Sequence, residues 1–465
     1  MSSLGVHRKR PLLAVLAALA LGGCASTAID DNVRSVQALS QERLGAPLRW
    51  LTSDEARRQA QAEVDAALAK PVGADDAVRL ALAHSPAVQA MLFEGAAASA
   101  NATQSARLPN PVFTFERLLR NEAGGREVEI NRMLGVSVFD LLLWPARTRL
   151  ADAQQQQTRL RLASEVVRAA TDARQNWVHA VAAQQSVQYF EQVKLAADAS
   201  AELARRMQAV GNFSKLQRAR EQAFSADAVA ELARARMHAQ RSREALVRSL
   251  GLNGAQAQAL TLPDRLPDLP AAAKDEATVT QAALDQRLDV RLARVRLEFS
   301  AREQGLTRVS SIVNGLEIAA VRNTETGRSA QRGVELQLPL PIFDTGDAAR
   351  AGAQASYMAA VNRTAQVGID AASQLRESYA GYRTAYDLAR HYRDEIVPLR
   401  KTISDENLLR YNGMLIGVFE LLADAREQVA SVVQAIDAQR DFWLADAALQ
   451  AALIGVPRTQ DMETQ

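Results

Sequence analysis

The chain has 465 residues, of which 55 are lysine or arginine and 53 are aspartate or glutamate, so its formal net charge at pH 7 is +2. This balance gives no sign of a nucleic-acid-binding face. The sequence contains one cysteine, Cys24, which excludes both a disulfide framework and a metal cluster held by several thiolates.

The first 24 residues have the pattern of a lipoprotein signal peptide. A basic stretch at 7–10 precedes an apolar run at 11–21, which ends before two glycines and Cys24. The run is too short to span a bilayer as a helix, and the small residues suit a peptidase that cuts ahead of a lipidated cysteine. We expect removal of residues 1–23, lipid on Cys24 and, because Ala25 follows, delivery to the outer membrane of a Gram-negative cell. The alternative is an ordinary cleavage site beside a coincidental cysteine.

The next segment, residues 24–73, is polar. It is predicted to tether the chain to lipid and to wrap around the outside of the protein, with one short helix at 54–69. The first core helix is predicted to begin at Asp75, whose carboxylate can cap the free amides of residues 76–79. After the signal there is no run of 18 uncharged apolar residues, so the sequence predicts no transmembrane helix.

The remaining chain divides into two halves with the same order of elements, which indicates an internal duplication. Each half is predicted to contain two strands followed by a long helical hairpin. The predicted segments are 74–262 for the first repeat, 263–277 for a proline-rich linker, 278–455 for the second repeat and 456–465 for a C-terminal tail.

The helical hairpins carry the clearest signal of this duplication. The predicted helices and turns are 146–208, a turn at 210–212 and 214–250 in the first half, and 346–410, a turn near 412–413 and 418–453 in the second. An offset of 206 positions aligns Gly211 with Gly417, Phe213 with Phe419, Leu216 with Leu422, and residues 219–222 with 425–428.

The predicted helices are unusually long. An uninterrupted helix of about 63 residues extends for roughly 95 Å at 1.5 Å per residue, which is more than a compact domain needs. Small apolar side chains, such as Ala169, Ala173 and Val178, occur on more than one face. Such a helix can pack against neighbours on both sides, like a stave of a closed cylinder. An ordinary soluble coiled coil is the alternative.

Two strands are predicted ahead of each hairpin. Their predicted ranges are 109–118 and 128–143 in the first half, and 311–321 and 333–340 in the second. In the last strand one side carries Val334, Leu336, Leu338 and Leu340, and the other carries Glu335 and Gln337. One side therefore suits lipid and the other a wet lumen. Four strands are too few to enclose a conducting barrel, so we expect several chains to combine their strands. Hairpins of a soluble domain are the alternative.

Several phrases of the sequence together resemble the TolC-like outer-membrane efflux protein family, also called outer-membrane factors, in its lipoprotein form. They are DDAVRLALAHSP at 75–86, LPNP at 108–111, GVELQLPLPIFDTG at 333–346, RYNG at 410–413 and ELLADAR at 420–426. The resemblance covers residues 75–455, and the phrases follow one another in the order typical of the family.

The resemblance implies an α+β membrane protein that forms a homotrimer. Four strands from each chain would make a twelve-stranded β-barrel in the outer membrane, and the antiparallel helical hairpins would continue it as a periplasmic α-barrel. The implied function is that of a passive outer-membrane channel in a tripartite efflux system. Such a channel receives substrates from a periplasmic adaptor (membrane fusion) protein and, through the adaptor, from an inner-membrane pump. Neither enzymatic activity nor a cofactor or resident metal is expected.

The resemblance places the two helical turns at a periplasmic tip that contacts the adaptor. The implied tip residues are Val210, Gly211, Asn212, Phe213, Asn412, Gly413, Gly417 and Phe419. Glu420 and Asp424 lie four apart on one helix face, and three copies of the pair could form an acidic pore constriction. Leu421 occupies a position that is often acidic in the family. The alternative for the pair is a solvated face near a helix N-terminus, where acidic residues are favoured.

No catalytic motif accompanies these features. The five histidines are isolated in sequence, and neither a phosphate-binding glycine loop nor a nucleophile elbow is present. The rival functions are an exit duct of a type I protein secretion system and a non-conducting structural coiled-coil lipoprotein, which would not need the four strands. The transported substrate stays open between metal ions, drugs and proteins. Resemblance to lipidated members of metal-resistance systems, together with the acidic pair, favours metal cations.

Overall fold

The computed structural model describes residues 24–122, 125–276, 284–311 and 315–456. The predicted signal peptide at 1–23, the start of the predicted second repeat at 278–283 and the predicted tail from residue 457 lie outside the described residues. Among the helices of the described residues, none is both long and apolar enough to cross a membrane.

The described chain starts with four helices that precede the sheet. They are α1 (Cys24–Leu44), α2 (Asp54–Leu68), α3 (Ala74–His84) and α4 (Pro86–Ser105). The predicted short helix at 54–69 is confirmed as α2. Its start is set by Ser53, whose side chain accepts a hydrogen bond from the N–H of Ala56 at 3.1 Å, as is usual for a serine at the N-cap position.

The helix α3 begins one residue earlier than predicted, and a different carboxylate caps it. Gly73 is the N-cap residue, and its N–H donates to Oδ2 of Asp76 at 3.3 Å. Asp76 occupies the third helical position, from which a side chain can reach back to the N-cap amide. The predicted cap, Asp75, instead pairs with Arg174 at 2.7 Å, so that prediction was wrong.

Four antiparallel strands form one sheet in the order β1-β2-β3-β4. The strands are β1 (Val112–Glu122), β2 (Gly125–Ser137), β3 (Glu317–Glu325) and β4 (Gln331–Gln337). Within the described chain, β1 pairs only with β2 and β4 pairs only with β3. Both outer edges of the sheet are therefore without a strand neighbour in this single chain.

The second predicted strand is shorter than expected. It ends at Ser137 instead of residue 143, and the helix α5 (Val138–Ala209) follows at once. The Ser137 hydroxyl accepts a hydrogen bond from the N–H of Asp140 at 3.2 Å, which is the geometry of an N-cap. The segment 138–143 (VFDLLL), apolar apart from Asp140, suits a strand or a helix equally, because such short runs carry no clear period.

The other three strands differ from prediction at their ends. The first runs over 112–122 instead of 109–118, the third over 317–325 instead of 311–321, and the fourth over 331–337 instead of 333–340. The helix α8 (Leu288–Ser310) precedes the third strand. Two strands in each half, followed by long helices, remain as predicted.

Long helices make up most of the rest of the fold. After α5 and before α8 come α6 (Lys215–Leu250), α7 (Gly254–Ala259) and a 3-10 turn (Leu284–Gln286); after α8 come α9 (Asp347–His391), a π turn (Tyr392–Ile396), α10 (Val397–Asn412) and α11 (Val418–Ile454). The predicted fold class, long antiparallel helical hairpins with a four-strand contribution, is confirmed. The helix α5 alone has 72 residues, a contour length of about 108 Å at 1.5 Å per residue.

The predicted single helix over 346–410 is interrupted by the π turn. The N–H of Val397 donates to the carbonyl of Tyr392, five residues earlier, and Pro398 follows immediately. Proline has no N–H and its ring crowds the carbonyl four residues before it. Locally the backbone hydrogen bonds span five residues instead of four, which widens the helix and accommodates this crowding without ending it.

The described chain forms two compact units, and neither is one of the two sequence repeats. The first unit combines the segment that ends at Ser35 with Phe93–Leu162 and Val290–Gly368, and it contains the sheet. The second combines Val36–Leu92, Ala163–Asp289 and the segment from Ile369 onward, and it contains both helical turns. Each compact unit therefore takes elements from both halves of the duplication.

Apolar clusters stabilise the second unit, and two of them contain large aromatic side chains that are buried. In one, Trp177 is buried beside Leu246 and Leu250, and its indole N–H donates to the Val72 carbonyl at 2.7 Å. In the other, the ring of Phe442 lies 5.7 Å from that of Tyr382 and 5.8 Å from that of Tyr386, measured between centroids.

The proline-rich segment after residue 262 packs against this second cluster. The carbonyl of Pro267 accepts a hydrogen bond from the indole N–H of Trp443 at 3.0 Å, and the Tyr386 hydroxyl donates to the Pro270 carbonyl at 3.2 Å. Because proline carbonyls keep their acceptor capacity, the segment is held by tyrosine and tryptophan side chains of the second hairpin.

Two glycines with left-handed backbones allow a matched test of how closely α4 approaches the end of α6. A Cβ on Gly251, where φ is +71°, would lie 2.5 Å from Cδ of Pro86, whereas a Cβ on Gly211, where φ is +82°, would meet no atom within 4 Å. We expect Gly211→Ala to cost about 1 kcal/mol from backbone strain, and Gly251→Ala to cost more because a clash is added. Thermal unfolding of both purified variants in one detergent measures the difference. Equal shifts in Tm would contradict the close approach at Gly251.

Candidate functional site

The first helical turn, residues 210–214, is closed by backbone hydrogen bonds. The N–H groups of Asn212 and Phe213 donate to the Met207 carbonyl at 2.8 and 3.2 Å. Gly211 lies in the left-handed region with φ of +82°, which glycine adopts without steric cost. These features fix the backbone conformation of the turn.

A capping box starts α6 directly after this turn. The Ser214 hydroxyl accepts a hydrogen bond from the N–H of Gln217 at 3.2 Å, and Oε1 of Gln217 accepts one from the N–H of Ser214 at 2.6 Å. Two otherwise unpaired amides are satisfied in this reciprocal way. The geometry fixes the first residue of α6.

The predicted tip residues of this turn differ in accessibility. Val210, Gly211 and Asn212 are exposed, whereas only 8% of Phe213 is exposed. The first three residues offer a surface to a partner. The Phe213 side chain is buried and stabilises the turn from within.

The second helical turn, residues 413–417, has a different conformation. The N–H of Gly413 donates to the Leu409 carbonyl at 2.9 Å and that of Leu415 to the Arg410 carbonyl at 2.8 Å. The left-handed residue is Met414, with φ of +58°, whereas Gly413 has φ of −78°. Met414 is 93% exposed, so the strained residue of this turn presents an apolar side chain to solvent. Sequence reasoning missed Met414, since a glycine one residue earlier is the usual signal.

The helices that follow the two turns do not start at equivalent positions of the repeated sequence. By the sequence offset the counterpart of Lys215, the first residue of α6, is Leu421, yet α11 begins three residues earlier at Val418. Gly417 is the N-cap of α11, with φ of −83°, whereas its counterpart Gly211 is left-handed. The duplicated sequences therefore form two distinct tips. The Phe419 side chain lies outside the described part of the chain.

The candidate acidic pair lies in the first two turns of α11. Glu420 is exposed and Asp424 is partly buried. Oδ2 of Asp424 is buried without a hydrogen-bond partner in the described chain, and neither carboxylate pairs there with a basic side chain. Two carboxylates without countercharge, four residues apart on one helix, can attract a cation.

A buried ion pair links the two hairpins close to this acidic pair. Glu221 of α6 is 1% exposed, and its carboxylate accepts hydrogen bonds from Arg426 of α11 and from the Ser200 hydroxyl, each at 2.8 Å. The guanidinium carbon of Arg426 lies 4.6 Å from the centroid of the Phe224 ring. Removing Arg426 would leave the buried carboxylate of Glu221 without a countercharge.

The counterpart of Glu221 in the second repeat has an exposed partner. Glu427 pairs with Arg400 of α10, and both side chains are more than a third exposed. Surface pairs of this kind contribute little to stability. The sequence shows the repeated phrases at 219–222 and 425–428. It does not show that the glutamate of one phrase is buried and that of the other exposed.

The sheet forms a second candidate site, which sequence reasoning found only in part. Among the residues whose side chains the structure describes, one face carries Glu116, Glu127, Glu129, Glu317, Glu325 and Glu335, as the strand register and side-chain alternation require. Among the strand residues of that face the one arginine is Arg120. A cavity of about 250 Å³ opens at its base, lined by Asp140, Glu317 and Glu335 among others.

The opposite face of the sheet is largely apolar. More than a third of the surface is exposed for each of Phe113, Phe115, Leu119, Leu134, Ile318, Val334 and Leu336. Val334 and Leu336 were predicted to share a face, away from Glu335 and Gln337, and β4 places them so. Leu338 and Leu340 lie beyond the end of β4 and are also exposed.

In the part of the chain that the structure describes, no cluster of three or more histidine, cysteine or acidic side chains could hold a metal ion.

The fold is that of solved outer-membrane channels. A membrane protein from Pseudomonas aeruginosa is 20% identical, with a TM-score of 0.68 over 87% of this chain and 95% of that one. The outer-membrane protein VceC from Vibrio cholerae is 15% identical, with a TM-score of 0.69 over 87% of this chain and all of that one. The CmeC outer-membrane channel from Campylobacter jejuni is 13% identical, with a TM-score of 0.65 over 86% of each chain. No family model and no curated protein matches the sequence.

The contrast between Glu221 and Glu427 gives a test with its own control. Replacing Glu221 by Gln leaves Arg426, whose side chain is 35% exposed, facing a neutral amide, and should destabilise the protein by about 2 kcal/mol because a hydrogen bond between charged groups is lost. The same change at Glu427 should cost at most about 1 kcal/mol, because that pair is exposed. Thermal unfolding in detergent compares the two variants. A Glu221→Gln protein as stable as Glu427→Gln would show that the buried pair contributes nothing.

Proposed function

We propose that this chain, which has the fold of outer-membrane channels, is the outer-membrane channel of a tripartite efflux system. It would act as a passive conduit, with energy supplied by a separate pump. The observation that supports this function most is the sheet, whose one face exposes mainly apolar side chains, with arginines among them, while the other carries six of the described glutamates. A sheet with these two faces suits a wall between lipid and water.

The free edges of the sheet support assembly into a trimer. The outer strands β1 and β4 each have one unpaired edge in the single chain, and exposed edges invite pairing with another chain. Joining β4 of one copy to β1 of the next would close a barrel after three copies, with twelve strands. That number lies within the range of known transmembrane barrels.

The charges of the conduit favour cations as cargo. The acidic face of the sheet would line the lumen, and Glu420 with Asp424 would form a constriction at the tip when three copies surround an axis. Rings of carboxylates attract cations and repel anions. This is the basis on which we prefer metal cations or cationic drugs over secreted proteins as cargo.

The two helical turns are the proposed contact with a periplasmic adaptor. Val210, Met414 and Leu415 are each more than two thirds exposed, and exposed apolar side chains on the two turns suit a protein interface. Cys24 would carry lipid in the outer membrane. A pore-free coiled-coil scaffold would have no use for an acidic face and an apolar face on one sheet.

Conductance tests the proposed pore directly. Purified protein in a planar bilayer should open discrete, cation-selective channels. Replacing Glu420 and Asp424 by Ala should lower the ratio of cation to anion permeability, because the acidic constriction is lost. The control is Asp54→Ala with Glu55→Ala, which removes the same charge from α2. Unchanged selectivity would exclude the pair from the pore, and a verified trimer without any conductance, even after mutation of the tip, would favour a scaffold.

The lipid anchor has its own test. Changing Cys24 to Ser should abolish incorporation of radiolabelled palmitate, because a hydroxyl cannot form the thioether that a lipoprotein cysteine carries. Labelling that persists in the serine variant would show that the lipid is attached elsewhere.

A further inference from the structure

The apolar face of the sheet contains a row of three arginines. Arg132 of β2 lies directly opposite Arg322 of β3, and Arg322 lies directly opposite Arg332 of β4. Residues paired across strands point to the same side of a sheet. The three guanidinium groups therefore start from one level of one face, and neighbouring strands are about 4.8 Å apart.

A fourth arginine belongs to the same region. Arg117 pairs with Ile130 on β2, two residues from Arg132 along that strand, so it lies on the same face and diagonal to Arg132. Arg117, Arg322 and Arg332 are exposed, and Arg132 is partly exposed. The four side chains form a basic cluster within an apolar surface. We name Arg117, Arg132, Arg322 and Arg332 the arginine cluster.

The arginine cluster lacks countercharge within the described residues. None of its four members forms an ion pair or a side-chain hydrogen bond there, and the six strand glutamates lie on the opposite face. Like charges placed directly opposite one another destabilise a sheet. An anion between the guanidinium groups would remove this repulsion, and phosphate suits the planar fork of arginine because it accepts two parallel hydrogen bonds.

The position of the arginine cluster on the face indicates which class of anion would bind there. Below the row, toward the helical ends of the strands, each outward strand position is apolar: Phe113, Leu134, Val136, Ile318, Ala320, Val334 and Leu336. Above it polar residues appear, such as Thr324 and Asn121. The row is thus the first polar level above a purely apolar surface. A lipid whose headgroup lies at the row and whose acyl chains extend toward the helices fits this order.

We propose that the arginine cluster binds the phosphate groups of a phosphorylated lipid headgroup. This rests on the proposed function, since it requires the apolar face to contact a bilayer. With the helices on the periplasmic side, the headgroup lies in the outer leaflet. Two neighbour spacings of about 4.8 Å make the row about 10 Å wide, which suits a headgroup with two phosphates better than one with a single phosphate.

Native mass spectrometry of the full-length protein in detergent tests this assignment. The probes are bisphosphorylated lipid A, monophosphoryl lipid A and phosphatidylethanolamine. The wild type should bind the bisphosphorylated lipid most tightly. The triple variant Arg132→Gln, Arg322→Gln and Arg332→Gln should bind it at least tenfold more weakly. The triple Lys variant should fall between, because lysine keeps the charge but cannot form the bidentate contact.

A matched control removes the same charge elsewhere. Arg241→Gln, Arg363→Gln and Arg376→Gln change three exposed helical arginines and should leave lipid binding unchanged. Equal loss in this control, or equal binding of all three lipids by the wild type, would overturn the proposal. The proposal would also be overturned if the Gln variant lost its trimer while the Lys variant kept both the trimer and the wild-type affinity for lipid. The row of arginines would then be a contact between chains.

The same proteins separate this inference from the proposed pore. In bilayers of phosphatidylcholine the triple Gln variant should conduct as the wild type does, since the arginine cluster lies on the face away from the lumen. Absence of conductance in the wild type would argue against the channel while lipid binding is still measured. Normal conductance with no lipid preference would overturn the headgroup site alone.

Discussion

The register of the four strands is the constraint on which both faces of the sheet depend. Because side chains alternate along a strand, one register places six glutamates on one face and the exposed apolar residues with the arginine cluster on the other. A slip of one residue in any strand would exchange its two sides. The amide of Asn323 donates to Glu129 at 2.8 Å across 194 residues of sequence, and so supports the pairing of β2 with β3.

The separation of charge across the sheet gives the proposed conduit two different surfaces from the same strands. Carboxylates face the side on which hydrated cations would pass, where water screens their mutual repulsion. Guanidinium groups face the side on which anionic headgroups would lie. Both sets of charges are expensive if left in hydrocarbon without partners, so their distribution follows from the solvent that each face would meet. The proposed channel and the proposed lipid site are thus two consequences of one register.

The duplicated hairpins show how copies of one sequence can take different roles. Glu221 is buried and bound by Arg426 of the other hairpin, whereas Glu427 is exposed and bound within its own. The turns differ as well, since the left-handed residue is a glycine in one and Met414 in the other. A buried charge pair holds hairpins in a specific arrangement more strongly than an exposed pair does. The asymmetry places the firm link between hairpins close to the acidic pair of α11.

The sequence by itself determined the class of fold, the long helices, the two turns and the short helix α2, because helix composition, capping residues and period are local properties. It also predicted the two sides of β4. It did not determine where β2 gives way to α5, since the largely apolar segment 138–143 has no clear period, nor that Asp76 and not Asp75 caps α3. Only the tertiary structure decided the pairing of β2 with β3, the burial of Glu221 and the alignment of the arginine cluster. Each of these depends on contacts between residues far apart in sequence, and local sequence patterns do not predict such contacts.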